Sequence, residues 1–178
     1  ADGLLGSSVV RELLDAGFVV RVLLHPASAS PTLEGLPLET CYRDLAADDV
    51  ELDEPVRDCR FVIHCAAITN LWADSKVTWA VNVTATERLL DACEAAGVER
   101  LVFVGSANGF EPGPGGEPAN ETAPFPSAYR GMAYMESKHR AMQCVRERVS
   151  AGRLDAVIVA PTFMLGEHDA GPSSGELL

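Results

Sequence analysis

The chain has 178 residues, is 47% hydrophobic and carries a formal net charge of −12. That length and composition suit one α/β domain with its own core and exclude a disordered segment. The acidity argues against nucleic acid, whose phosphates call for a clustered positive surface. No apolar run approaches the roughly 20 residues that span a bilayer, and no signal-peptide pattern opens the chain. The five cysteines form no C-x-x-C pair and the four histidines show no ligand spacing, so the expectation is a reduced, cytoplasmic chain without a metal site.

Taken in order, residues from about Leu4 to Ala16 have the pattern of an amphipathic helix ended by Gly17. Val19–Leu24 is a β-rich run whose charge, Arg21, is expected to point away from the ligand side. Leu38–Tyr42 is a second short strand, and Val50–Arg57 a short helix expected to break at Pro55. Phe61–Cys65 is a buried-strand candidate. Asp74–Ala96 reads as one long helix ended by Gly97, and Leu101–Val104 as another strand. A Gly-, Pro- and Glu-rich loop covers about 109–126 and suggests a functional or mobile segment. Tyr129–Ser150 is a helix, Ala156–Ala160 a strand, and the tail from Gly166 is rich in Gly, Pro and Ser.

Strands alternating with helices, each strand nearly continuous in apolar residues, predict a doubly wound parallel sheet covered on both faces, a Rossmann-type α/β fold over residues 1–178. The first helix has no strand before it, although glycines crowd its start, and the chain stops within a loop. The expectation is a nucleotide-binding domain that lacks its first strand and the C-terminal substrate-binding part.

Two groups of residues carry chemistry. Gly3 and Gly6 stand three apart at a helix N-terminus, where close backbone approach and free N–H groups suit a pyrophosphate. His25 follows the next strand about 20 residues on, where a dinucleotide fold reads the ribose. Tyr134 and Lys138 are four apart on one helix face, so the ammonium is placed to favour a phenolate that exchanges a proton with a substrate oxygen. Ser106 follows the strand Leu101–Val104 through Gly105, at the C-terminal end of a parallel strand, where such folds bind ligands. Each motif alone has a plainer explanation: a glycine-rich helix start, a solvent-facing Lys beside a packed Tyr, a capping Ser.

Together, and in this order, the motifs resemble the extended short-chain dehydrogenase/reductases, the NAD-dependent epimerase/dehydratase group. Gly3-Leu-Leu5-Gly6 resembles the end of that family's glycine turn. Arg43-Asp44-Leu45 is similar to its G-D-L, whose Asp contacts the adenine. His64-Cys-Ala66-Ala67 resembles its H-x-A-A lining the cofactor, and Val81-Asn82-Val-Thr84 its N-V-x-G-T helix start. Phe103–Ala107 occupies the place of the catalytic serine segment, Tyr134–Lys138 matches Y-x-x-S-K, and Pro161-Thr162 with Gly166 resembles the loop beside the nicotinamide. Leu71-Trp72 and the segment from Pro161 to Gly175 are most similar to dihydroflavonol-4-reductase-like and hopanoid-associated sugar-epimerase-like members. Gly105 stands where the family usually has Ser, and Ala85 where it usually has Gly.

The resemblance implies hydride transfer between NAD or NADP and a sugar-nucleotide or a ketone/alcohol substrate, with Tyr134 as general acid/base, Ser106 orienting the substrate oxygen, and Lys138 tuning Tyr134 and holding the ribose. Epimerase, dehydratase and reductase share these motifs. The alternative is a non-catalytic dinucleotide sensor, which has no use for all three of Ser106, Tyr134 and Lys138. The partner expected is a small molecule, with no nucleic acid or membrane and with a homodimer left open for the full-length protein. No acid lies between Leu24 and Glu34, so nothing near position 25 repels a 2′-phosphate, and the cofactor expectation leans slightly to NADP, with His25 and Ser28 as donors.

Overall fold

The computed structural model describes residues 1–169; Pro172–Gly175 of the tail motif lie outside the described residues. The apolar runs form five short parallel strands: β1 (Arg21–Leu24), β2 (Glu39–Tyr42), β3 (Phe61–His64), β4 (Arg100–Val104) and β5 (Ala156–Val159). α1 (Leu4–Asp15) precedes β1, and between the strands lie α2 (Asp53–Val56), α3 (Ser75–Trp79), α4 (Ala85–Ala96) and α5 (Ala133–Ser150). β1 pairs with β2 in one sheet, and β3, β4 and β5 pair in that order in another. All three ladders are parallel. Among the described residues no ladder joins β1 to β3.

The alternation of side chains along the strands decides where the core lies. In the three-stranded sheet, Val62, Leu101, Phe103, Ala156 and Ile158 face α4 and α5, whose Leu90, Ala92, Cys93, Ala141, Met142, Cys144 and Val145 complete the main core. Phe61, Ile63, Val157 and Val159 face the other way and are exposed. Coverage of both faces was expected; here the described helices cover one face of β3–β5. A smaller core joins Val10 of α1 to Val20, Val22, Leu24 and Leu33. Leu23, one residue out of phase with Val22 and Leu24, packs on the main core instead. α1 and the α4–α5 pair therefore lie on opposite faces, as in a doubly wound fold.

Three local expectations are corrected. Pro55 does not break α2, because it sits in the first turn, where its missing N–H has no intrahelical partner to lose. The long helix over 74–96 is interrupted by a π-helical turn at Ala80–Thr84, a feature that often marks a functional site. The helix expected from Tyr129 starts at Ala133, because Gly131 takes φ +82°, outside the right-handed helical region. Arg21 bonds to Glu39 at 2.9 Å and to the Arg57 carbonyl at 2.6 Å, tying β1 to β2 and to the end of α2.

The loop ahead of α5 is docked on that helix. His139 Nδ1 lies 3.2 Å from the Gly109 carbonyl, Arg146 donates to the Glu121 carbonyl at 2.6 Å, and Phe125 stacks 4.7 Å from His139.

Candidate active site

The site forms where the C-terminal ends of β3 and β4 meet α5. Lys138, 4% exposed, points inward. Its Nζ donates to the Val104 carbonyl at 2.6 Å and lies 4.8 Å above the Phe103 ring. Burial pulls this ammonium down to about 8. Val104 is the last residue of β4, two before Ser106, so the anchor of Lys138 and the candidate serine share one backbone turn. Tyr134 is one helical turn earlier on α5 and half-buried.

Glycines make this approach possible. A Cβ on Gly105 would stand 2.6 Å from Met142 Sδ, and one on Gly109 would collide with Met142 Cε. Met142 is one turn beyond Lys138, so the family's usual Ser at position 105 would require the Met142 side chain to shift. Ser106 is buried, and its Oγ accepts from the Asn108 N–H at 3.3 Å as the cap of a short 3₁₀ turn. The capping role and an orientation of the hydroxyl toward a substrate are compatible, since a hydroxyl also donates.

Asn82, in the π turn and 2% exposed, holds the loop after β3. Its Oδ1 accepts from the Ile68 N–H at 2.8 Å, and its Nδ2 donates to the Ile68 carbonyl and to Ser137 Oγ, each at 3.0 Å. Ser137 in turn donates to the Tyr134 carbonyl at 2.9 Å. Asn82 thus ties the loop following Ala66 and Ala67 to the helix that carries Tyr134 and Lys138. His64 lies 2.9 Å from Thr86 Oγ1, which itself donates to the Asn82 carbonyl. The ring must then donate through Nε2, and burial holds it neutral, with a pKa down to about 3.

At the other end of the site, no side chain caps α1, whose N-cap residue is Gly3. A Cβ on Gly3 would meet nothing within 4 Å, so the space before the helix is open. A Cβ on Gly6 would lie 2.4 Å from the Ala1 carbonyl oxygen, which explains the second glycine: the turn presses against its own helix. Leu5 is half-buried between them. The Pro161 carbonyl accepts from the Ala107 N–H at 3.0 Å, placing Pro161-Thr162 beside Ser106. Gly166 approaches Leu4, so this loop spans from the serine to the glycine turn. His25 is exposed; its Nδ1 accepts from the Ala27 N–H at 3.1 Å and its Nε2 is 3.8 Å from Asp44 Oδ1. Asp44 also accepts from the Ala46 N–H, and Leu45 packs on the main core.

An open, uncapped helix start, a buried ammonium and a row of loops between them fit a dinucleotide: the helix N-terminus suits the pyrophosphate, and Lys138 a ribose. Asp2, not singled out by the sequence motifs, also lies here. Its carboxylate accepts from Ser28 and from Ser30. Its place directly before Gly3 was the available signal. Among the described residues no group of three or more His, Cys, Asp or Glu could hold a metal, and no helix is long and apolar enough to cross a membrane.

A putative dihydroflavonol 4-reductase of Synechocystis is 32% identical over 178 residues, covering 99% of this chain and 51% of that protein. A nucleoside-diphosphate-sugar epimerase structure from Pseudomonas aeruginosa matches at 28% identity with a TM-score of 0.79, covering 99% of this chain and 55% of that one. A UDP-glucose 4-epimerase of Thermus thermophilus, in complex with NAD, matches at 26% identity and TM-score 0.75, covering 89% and 52%. The chain spans about half the length of the curated relatives it matches. The model of the NAD dependent epimerase/dehydratase family matches residues 1–177, which agrees with the parallel strands, the open glycine turn and the order of the motifs. The chain belongs to the NAD dependent epimerase/dehydratase family.

Proposed function

We propose that the protein containing this chain is an NAD(P)-dependent oxidoreductase or epimerase. Its substrate is an alcohol, ketone or sugar-nucleotide carbon, the classes named for its relatives. A bound nicotinamide supplies hydride donation and acceptance. The chain's own residues do the rest. Tyr134 exchanges a proton with the substrate oxygen through its hydroxyl. Ser106 holds that oxygen by a hydrogen bond. Lys138 supplies positive charge under the site and a donor toward the ribose, while Asn82 and Ser137 fix the α5 turn on which Tyr134 stands. The observation that carries this reading is the buried Lys138, whose Nζ is held at the last carbonyl of β4, two residues from Ser106 and one turn from Tyr134.

The test is Tyr134→Phe in the full-length protein. Turnover is expected to fall at least about 10²-fold, the lower end for general acid–base catalysis, with dinucleotide Kd changed little. Unchanged turnover overturns the assignment. Tight dinucleotide binding with no detectable turnover in either protein is the behaviour of a sensor.

A further inference from the structure

The end of β1 lacks the acid that commonly reads the adenine-side ribose: the chain runs Leu24-His25-Pro-Ala-Ser28-Ala-Ser30-Pro-Thr32, with neither carboxylate nor Lys or Arg. The folded chain brings one there from the glycine turn. Asp2 Oδ2 accepts from Ser28 Oγ and, at 3.0 Å, from Ser30 Oγ; the two hydroxyls lie 2.9 Å apart. Thr32 Oγ1 closes the seat by donating to the Asp2 carbonyl at 3.0 Å. Ser30 sits at φ +44°, a backbone conformation uncommon for non-glycine residues, which turns its hydroxyl onto the carboxylate. Burial raises the Asp2 carboxyl, and hydrogen bonds from the Ser28 and Ser30 hydroxyls lower it.

We propose that Asp2 is the cofactor-specificity residue of this protein: fixed by Ser28 and Ser30 between the glycine turn and the end of β1, its carboxylate takes the ribose hydroxyls of NAD and repels the 2′-phosphate of NADP. The proposal rests on the dinucleotide reading of the site and reverses the preference expected from position 25 alone. Two arginines on neighbouring elements make hydrogen bonds to groups other than Asp2. Arg11 donates to the Thr32 carbonyl at 2.6 Å, and Arg43 to the carbonyls of Tyr42 and Glu51 and to Glu54. His25 faces a second carboxylate, Asp44.

Calorimetric Kd values for NAD⁺ and NADP⁺ on the full-length protein test this. Wild type is expected to bind NAD⁺ at least about tenfold more tightly, with the gap narrowing as salt is raised, because a charge repulsion is screened. Asp2→Asn, which still accepts hydrogen bonds from both serines, is expected to strengthen NADP⁺ binding about tenfold and to weaken NAD⁺ binding severalfold, because a neutral amide is a poorer acceptor for the ribose hydroxyls. A wild-type preference for NADP⁺, or a variant that weakens both dinucleotides equally, overturns the assignment of Asp2. Binding of neither dinucleotide by wild type overturns the dinucleotide reading itself. The wild-type ratio and its salt dependence stand even if the variant does not fold.

Discussion

The two halves of the molecule carry different parts of the proposed site and are built to different standards. The α4–α5 half joins fourteen buried residues under three laddered strands, and Asn82, Ser106, Ser137 and Lys138 are buried with it. The α1 half joins five buried residues over two strands, and β2 is largely exposed. The catalytic candidates Ser106 and Lys138 therefore stand on the better-packed part, whereas the proposed phosphate and ribose contacts stand on the lighter one. The lesson is physical: proton transfer asks for fixed distances and low solvent access, while a pyrophosphate is held largely by open backbone N–H groups that require exposure.

The contrast can be pushed hardest by using the 178 residues alone. β1 and β3 each leave an edge without a ladder among the described residues, apart from the Ala1 ammonium on the Leu23 carbonyl at 3.2 Å. Open edges invite other strands. The isolated chain is expected to aggregate and to bind dinucleotide weakly or undetectably; micromolar binding by calorimetry with a cooperative melt would refute this. A milder break compares identical chemistry in the two cores. Leu90→Ala, at a fully buried position on α4, is expected to lower stability of the full-length protein by about 3–5 kcal/mol, and Leu24→Ala in the smaller core by about 2 kcal/mol, at the bottom of the range for such truncations. Denaturant midpoints check the order, and equal losses would erase the distinction between the halves.

The smallest effect sharpens the role of Lys138. Its folded pKa, about 8, lies below the unfolded value of 10.5, so between these the unfolded chain holds the extra proton. Stability from this group therefore rises with pH from about 8 to 10.5, as the penalty of a buried charge is relieved, and is lowest below about pH 8. The stability of wild type relative to Lys138→Met should climb across that window; a flat difference would show that the ammonium is better solvated than its burial indicates. The same substitution should weaken both turnover and dinucleotide binding.

Periodicity and turn chemistry were enough to locate the strands, the ends of α1 and α4 at Gly17 and Gly97, and Tyr134 and Lys138 on one face of α5. These depend on local preferences: apolar runs, helix spacing, glycine at positive φ. The π turn at Ala80–Thr84 was not legible, because it arises from Asn82 reaching both backbone groups of Ile68, fourteen residues earlier. The reason for Gly105 was likewise hidden, since it lies in Met142, thirty-seven positions later in the numbering. Cofactor preference shows the limit most clearly. From the sequence, the ribose reader could be sought only at the end of β1, where His25 stands. Asp2 and Ser28 are 26 positions apart, and no local propensity pairs them. Only the packing of α1 against β1, through Val10, Val22 and Leu24, sets the glycine turn beside the loop and places a carboxylate where the chain order shows none.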